Sequence, residues 1–482
     1  MLGLCNTLFL ELRRNKPRYC HWKSNFRLSE ALAGKTDLDL LIHPDDKDQF
    51  LEIIKKLSFK KVNSPPKKRY AGIEDYLGFD RETGRLCHLH VHYRLILGPK
   101  FAKNYWLPIE DFVLGNLEIQ DHVKVPAREL ELLLLIIRSS MKMGPLGIIR
   151  YCLHQNQTPF PEDIYREFLF LLQNWSKDRF EQMVEKSDLP LSNSTMVSFA
   201  SKLKNHELKF TDFLVTRRHV FQSLRPFRLE HPIRTLRSSL STLFHLVPLI
   251  SRLWPMPKKR LPEKGKFFAL VGADGSGKST IVDDLEEWLS WKLDVKKIYF
   301  GIPKKIWLKV VDGIVRSCRS GPSFFLIKGL ARIGAAFGDL VSAQRWVWIA
   351  RKRLEQYCHG LEFSKKGGVV VADRYPLASF WSMEEPMDGP RIRKEMGETR
   401  ERMACLEEEY YSKIGLPDMV FVLQAEVEEL RKRKANLDFS SHRRKAAAVN
   451  GVNAQDHILP VDAGRPYDDV LLEIKQRIWK LI

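Results

Sequence analysis

The segment Gly-Ala-Asp-Gly-Ser-Gly-Lys-Ser at 272–279 does most to limit what this chain can fold into. It follows the apolar run KFFALVG (266–272) and leads into the amphipathic stretch TIVDDLEEWLSWKL (280–293), so the pattern G-x-x-x-x-G-K-[ST] sits between a strand and a helix,. Its glycines let the backbone curl until successive N–H groups point inward, and the helix that follows adds its positive end. A polyphosphate fits such a cradle. Lys278 is placed to reach β- and γ-phosphates and the Ser279 hydroxyl to ligate Mg²⁺. Gly272, Ala273, Asp274, Gly275, Ser276, Gly277, Lys278, Ser279 and Thr280 are therefore the expected ATP-binding set, with GTP as the alternative nucleotide.

The rest of the C-terminal half agrees with that start. VKKIYFG (295–301), GGVVVAD (367–373), DMVFVLQ (418–424) and HILPVD (457–462) read as further strands, several of them apolar throughout, as a parallel sheet covered on both faces requires,. Helical segments run between them, so a doubly wound α/β domain with a five-stranded parallel sheet is expected over 267–482,. Upstream, WPMPKKRLPEKGK (254–266) has the prolines and lysines of an exposed linker,. Residues 126–253 carry helical periodicity in ARELELLLLIIRSSMK and DIYREFLFLLQNWSKDRFEQMVEK,. Residues 1–125 form a small α/β unit, with TDLDLLI (36–42) and LHVHYRLIL (89–97) as strands and DKDQFLEIIKKLSF as an amphipathic helix between them,.

GADGSGKST, VVVADRYPLAS (369–379), LPDMVFVLQAEVEELRKRK (416–434) and the closing HILPVDAGRPYDDVLLEIKQRI occur in one order across the C-terminal domain. In these motifs the segment from about 265 to 482 resembles the thymidylate kinase family of nucleoside monophosphate kinases. The resemblance implies that Asp373 acts near Mg²⁺ and the attacking oxygen, that Arg374 grips the acceptor phosphate bidentately, and that Asp274 accepts a hydrogen bond from an acceptor sugar hydroxyl, with Tyr375 beside them. It also makes RKRKANLDFSSHRRK (431–445) the lid, whose Arg433, Arg443 and Arg444 are the cations expected over the donor phosphates,. Catalysis would then fall to Lys278, Asp373, Arg374 and these lid arginines. The acceptor half departs from the family: Val271 stands where a glutamate is usual, and Ala378 where a serine is usual after Asp-Arg-Tyr. A nucleotide or a sugar-nucleotide-type metabolite is the implied substrate.

In YCHWKSNFRLSEALAGKTDLDLLI (19–42), Asp37 and Asp39 are two apart on a strand, so both carboxylates share one face and can converge on a divalent cation,. The segment resembles the nucleotidyltransferase superfamily, in which a Gly-Ser turn precedes an Asp-x-Asp strand, and the resemblance implies an Mg²⁺ pair at Asp37 and Asp39. Here Lys23-Ser24 replaces Gly-Ser, and HVHYRL puts His90 where the third acid would be. A neutral imidazole brings no charge to hold Mg²⁺. His88, His90 and His92 alternate onto one face and read most simply as satisfied structural histidines.

The chain has 79 Lys and Arg against 59 Asp and Glu, a formal charge of +20, which favours anionic partners without choosing among them,. Homodimer formation, peripheral membrane contact and nucleic-acid binding stay open on this count. A nucleotide-gated binding protein, using the Arg-rich stretch at 225–254, is the alternative to an enzyme,. The 7 cysteines are scattered, with no CxxC spacing and no clustered His/Cys set, so a reducing cytosol and no structural zinc are expected,. The N-terminal MLGLCNTLFL reads as a helix, and the longest apolar runs fall short of the ~20 residues of a bilayer span, so a cytoplasmic location is expected,.

Overall fold

The computed structural model describes residues 1–99, 103–143, 160–229, 258–302, 328–381, 387–392, 398–433 and 439–482. These form two units, Met1–Lys259 and Arg260–Ile482. The Arg-rich stretch at 225–254 lies beyond residue 229 outside the described residues, as do the first four positions of the expected linker. Among the described residues, no helix is long and apolar enough to cross a membrane.

The first unit opens with helix α1 (Gly3–Asn15), in agreement with the expected N-terminal helix. Its mixed sheet has the order β1-β2-β5-β4-β3, from β1 (Tyr19–His21), β2 (Leu38–Ile42), β3 (Lys60–Val62), β4 (Ile73–Phe79) and β5 (Leu86–His92). Short α2 (Leu28–Leu32) precedes β2, and α3 (Lys47–Lys56) follows it, burying Phe50, Ile53 and Ile54 from a three-and-four spacing,. The expected strand at 89–97 is divided: β5 ends at His92, and Leu95–Leu97 forms β6, which pairs with β7 (Tyr105–Leu107). Then come α4 (Glu110–Gly115) and the hairpin β8 (Leu117–Gln120) and β9 (Val123–Pro126). Helices α5 (Arg128–Lys142), α6 (Glu162–Leu172), α7 (Lys177–Lys186), α8 (Asn193–Lys204) and α9 (Phe210–Ser223) follow.

The run LLLLII makes α5 apolar on every side, and such a helix must be enclosed. Leu130 and Leu132–Ile137 are all buried, in one core that also holds Phe168, Phe180, Phe199 and Phe213 from the helices and Cys20, Trp22, Leu41 and Leu95 from the α/β part. The helical stretch after residue 126 thus shares a core with the strands before it. Burial falls on a charged group as well: Glu131 on α5 accepts from the Asn25 backbone N–H at 3.1 Å and from Asn25 Nδ2 at 2.8 Å.

In the second unit, β10 (Lys266–Gly272), β11 (Val295–Tyr299), β12 (Val369–Asp373), β13 (Met419–Gln424) and β14 (Ile458–Asp462) form one sheet in the order β11-β12-β10-β13-β14, every pair parallel. These are the five expected strands. Helices α10 (Lys278–Ser290), α11 (Lys328–Lys365), α12 (Glu398–Ser412), α13 (Val427–Arg433), α14 (Phe439–Asn450) and α15 (Tyr467–Leu481) connect or cover them. The register pairs Leu270 with Asp373, so the loop leaving β10 and the end of β12 emerge at the same edge of the sheet,.

Burial pushes the Glu131 carboxyl up from 4.5 to about 7. Between those values the folded chain holds a proton that the unfolded chain has released, so this group lowers stability as pH rises from 4.5 to about 7,, by up to about 3 kcal/mol. Glu131→Gln removes that loss. Thermal midpoints taken from pH 5 to 8 are expected to fall more steeply for wild type than for the variant, and parallel curves would refute the assignment.

Candidate functional site

The loop after β10 is shaped by two glycines with different duties. A Cβ on Gly272 would lie 2.7 Å from Ser276 Oγ and 2.9 Å from the Leu423 carbonyl oxygen, so the turn closes only without a side chain there. Gly277 has φ +85°, the left-handed region that glycine enters without cost, and open space around it,. It stands at the N-cap of α10, where no side chain caps the first turn, leaving the helix's leading N–H groups to an anion,.

Lys278 is buried at 6% exposure and its Nζ donates to the Ala273 carbonyl at 2.6 Å, so the ammonium lies across the loop it closes. Burial pulls it down to about 8, partly opposed by Asp274. Ser279 Oγ donates to Asp373 Oδ2 at 2.8 Å, while Asp373 Oδ1, equally buried, has no hydrogen-bond partner. A hydroxyl beside a carboxylate with one oxygen unsatisfied is a hard, oxygen-only donor set, and it fits Mg²⁺. The expected pairing of Ser279 with Asp373 is thus brought together.

Opposite these, Arg374 Nη2 donates to Asp274 Oδ1 at 2.7 Å. Arg374 has φ +60°, unusual for a non-glycine residue,. Its N–H donates to the Leu270 carbonyl at 3.2 Å, which folds the chain back toward the loop at the end of β12. The two groups expected on the acceptor therefore face each other as an ion pair. Burial raises the Asp274 carboxyl, but Arg374, Lys278 and Lys445 outweigh it and leave it below its usual range.

Other expectations need correction. Tyr375 does not line the site: it is 2% exposed, packs edge-on against Phe267 and Phe300, and donates its hydroxyl to the Gly415 carbonyl. A large ring following a strand of five buried residues is drawn into the core,. Arg433, expected over the donor phosphates, donates instead to the Ala463 carbonyl at 3.0 Å. Arg443 and Arg444 are exposed on α14. Lys445, the next residue on that helix, reaches the loop, with Nζ 3.9 Å from Asp274 Oδ2. Lys434 lies outside the described residues.

Sequence reasoning also missed Arg353 and Asp388. Arg353, buried on α11, donates to the carbonyls of Phe300 and Asp388, each at 2.6 Å, and to Asp388 Oδ1 at 2.8 Å. It fixes the segment around Asp388, whose charge acts on both Lys278 and Arg374. No motif marks an arginine within a long helix.

The expected magnesium pair of the first unit is not assembled. Asp37 faces His88 Nδ1 at 2.9 Å, and Asp39 is paired with Lys23 Nζ at 2.8 Å. Both carboxylates are already engaged, and the donors beside them are imidazoles, a poor match for a hard oxygen-seeking ion. The acid that sequence reasoning missed is Asp75 on β4, opposite His90 in the register. Its Oδ1 accepts from His88 Nε2 at 3.0 Å and His90 Nδ1 at 2.8 Å. His88 Nε2 and His90 Nδ1 are thus partnered, but His88 Nδ1 makes no hydrogen bond although it faces Asp37, and His92, fully buried, has no hydrogen-bond partner on either ring nitrogen, so the expected set of satisfied histidines is only partly realised.

A scan against protein-family models finds no match for the chain. The uncharacterized ATP-binding protein YghR of Escherichia coli strain K12 is 23% identical over 223 residues, covering 44% of this chain and 85% of that protein. Its counterpart in E. coli O6:H1 strain CFT073 matches equally. Among solved structures, thymidylate kinase from Candida albicans aligns with 17% identity and a TM-score of 0.26, over 45% of this chain and 91% of its own. The second unit carries the strand–loop–helix and five-stranded parallel sheet of a P-loop fold.

The two glycines should separate on substitution. Gly272→Ala is expected to cost about 1–3 kcal/mol through the forced contact with the Leu423 carbonyl. Gly277→Asn, which meets open space and tolerates the left-handed region, is expected to cost less than about 1 kcal/mol. Denaturant melts of the two variants read the difference, and equal losses would show that space is not what Gly272 supplies.

Proposed function

We propose that the second unit transfers the γ-phosphoryl group of ATP to a phosphorylated acceptor, a nucleoside monophosphate or related sugar-bearing metabolite. The observation that carries this reading is the meeting, at one edge of the parallel sheet, of Lys278, Ser279 and Asp373 with the Asp274–Arg374 pair. A loop that only held a nucleotide would need the first group and not the second. The name of the E. coli relative supports ATP as the donor.

Ser279 and Asp373 would hold Mg²⁺, which supplies neutralisation of the polyphosphate charge. The chain's own groups do the rest. The loop amides and the uncapped start of α10 bind the donor phosphates, and Lys278 turns from the Ala273 carbonyl onto them,. Arg374 presents a planar fork to the acceptor phosphate, where Lys445 adds a second cation from α14,. Asp274 then exchanges the guanidinium for an acceptor hydroxyl. Asp373 orients the attacking oxygen, and the surrounding burial makes each of these charges count for more than it would in water.

Incubation with ATP, Mg²⁺ and a panel of nucleoside monophosphates and sugar phosphates should give acceptor-dependent ADP and a product heavier by one phosphate. Lys278→Ala should lower kcat at least about a hundredfold, and Arg374→Ala should act mainly on the acceptor's kcat/KM. No acceptor-dependent ADP from folded protein across the panel would sink the transfer. Absence of ATP binding by calorimetry would sink the donor site as well.

The Lys278 ammonium titrates near 8 in the free protein and is held charged by bound phosphate, so binding takes up a proton above that pH,. Nucleotide affinity should be flat below about pH 8 and fall above it. In Lys278→Arg the decline should vanish, because a guanidinium stays charged; an identical decline in the variant would assign it to another group.

A further inference from the structure

Strand β5 lies between β2, which carries Asp39, and β4, which carries Asp75, and in the register both acids stand beside His90. One ring nitrogen each from His90 and His92 and a carboxylate oxygen of Asp39 lie within 4.8 Å of one another. His92 is 0% exposed and its Nε2 points at Asp39 Oδ1 from 4.0 Å, with no hydrogen bond on either nitrogen. A buried polar group left in that state is costly. The distance is too long for a hydrogen bond, and it exceeds by a few tenths of an ångström the roughly 3.3 Å between two tetrahedral ligands of one ion, so an entering ion would draw the two groups together,.

His90 adds the more telling detail. A carboxylate only accepts, so the 2.8 Å contact from His90 Nδ1 to Asp75 puts the ring proton on Nδ1 and leaves the lone pair on Nε2,. Metal-bound histidines are oriented in this way, with a carboxylate behind the ring fixing the tautomer. Asp75 is fixed in turn by His88 Nε2 at 3.0 Å and Ser64 Oγ at 2.7 Å.

We infer that Asp39, His90 and His92 form a binding site for a divalent ion of the zinc class, with Asp75 positioning His90 from behind. Two imidazoles and one carboxylate favour such a borderline ion over Mg²⁺. Three protein donors leave a coordination position for water or a ligand, which is how catalytic and structural zinc sites differ. Lys23 Nζ, 2.8 Å from Asp39 Oδ1, competes for the same carboxylate. The side chains of Lys23 and Asp39 keep 18% and 14% exposure, so the ammonium has solvent to swing into as an ion enters. The site does not depend on the phosphoryl-transfer reading.

Untagged full-length protein, stripped with chelator and titrated with Co²⁺, tests this. One equivalent is expected to bind with the visible absorption of a low-coordinate cobalt ion, and Zn²⁺ should displace it. Asp39→Asn and His90→Ala should abolish the signal. Asp75→Asn should weaken binding about 10–100-fold without abolishing it, and Lys23→Met should tighten it. Lys278→Ala, in the other unit, should leave it unchanged. Because His92 is wholly buried, its replacement would disturb the core, so the partly exposed Asp39 is the decisive position, with near-ultraviolet circular dichroism checking the fold of each variant. No cobalt spectrum, a spectrum indifferent to Asp39→Asn and His90→Ala, or one lost in Lys278→Ala would overturn the site.

Discussion

The in-register parallel pairing of β10 with β12 is the constraint on which the second unit depends. It sets the Gly272 loop beside the end of a strand about a hundred residues later, so that Ser279 meets Asp373 and Asp274 meets Arg374. Four charged groups are thereby concentrated there, Lys278 and Asp373 buried and Asp274 and Arg374 half-buried. Isolated charges in such a place would cost several kcal/mol each, and they are tolerated because each has an opposite neighbour or a polar partner. Deleting Arg374 would leave the Asp274 carboxylate with Lys278 and a more distant Lys445, and the loop would lose its outer brace.

The strands, the loop and the meeting of Lys278, Ser279, Asp373 and Arg374 are legible in the sequence, because apolar runs and glycine spacing report directly on local geometry. Tyr375 is not, because adjacency to Asp373 and Arg374 says nothing about which way a ring turns, and a buried strand end draws it inward. The lid escapes for a related reason. A run of cations along two helices gives no phase, and which of them faces the loop depends on the angle at which α14 is held. Gln424 sets that angle in part, donating to the carbonyls of Val449 and Val452 at 3.0 and 2.8 Å and tying the end of α14 to β13. That brings Lys445 toward Asp274 and leaves Arg443 on the outer side.

In the first unit the alternation of His88, His90 and His92 is visible in the sequence, and so is their common face. Their partner is not. Asp75 lies in IEDYLGF with no motif around it, and only the antiparallel register of β4 on β5 delivers its carboxylate to two imidazoles at once. Asp37 and Asp39, which their spacing puts together, are engaged by different partners, His88 for the one and Lys23 for the other. Spacing along one strand fixes which face a side chain is on; the neighbouring strand decides what it meets.

Donor chemistry then sorts the two units toward different ions. At the loop edge of the parallel sheet the available atoms are a hydroxyl and a carboxylate oxygen with no partner, and a phosphate chain would complete an all-oxygen shell,. On β5 and β2 they are two imidazoles and one carboxylate that an ammonium already shares. Magnesium sheds its water reluctantly and gains little from nitrogen, so it has reason to occupy the first set and none to enter the second. An ion of the zinc class binds imidazole strongly enough to offset the nearby lysine, and the carboxylate behind His90 makes that ring the stronger donor. Ligand softness therefore disfavours magnesium among the imidazoles, while at the oxygen set the choice of ion falls to metal availability and to the phosphate chain itself.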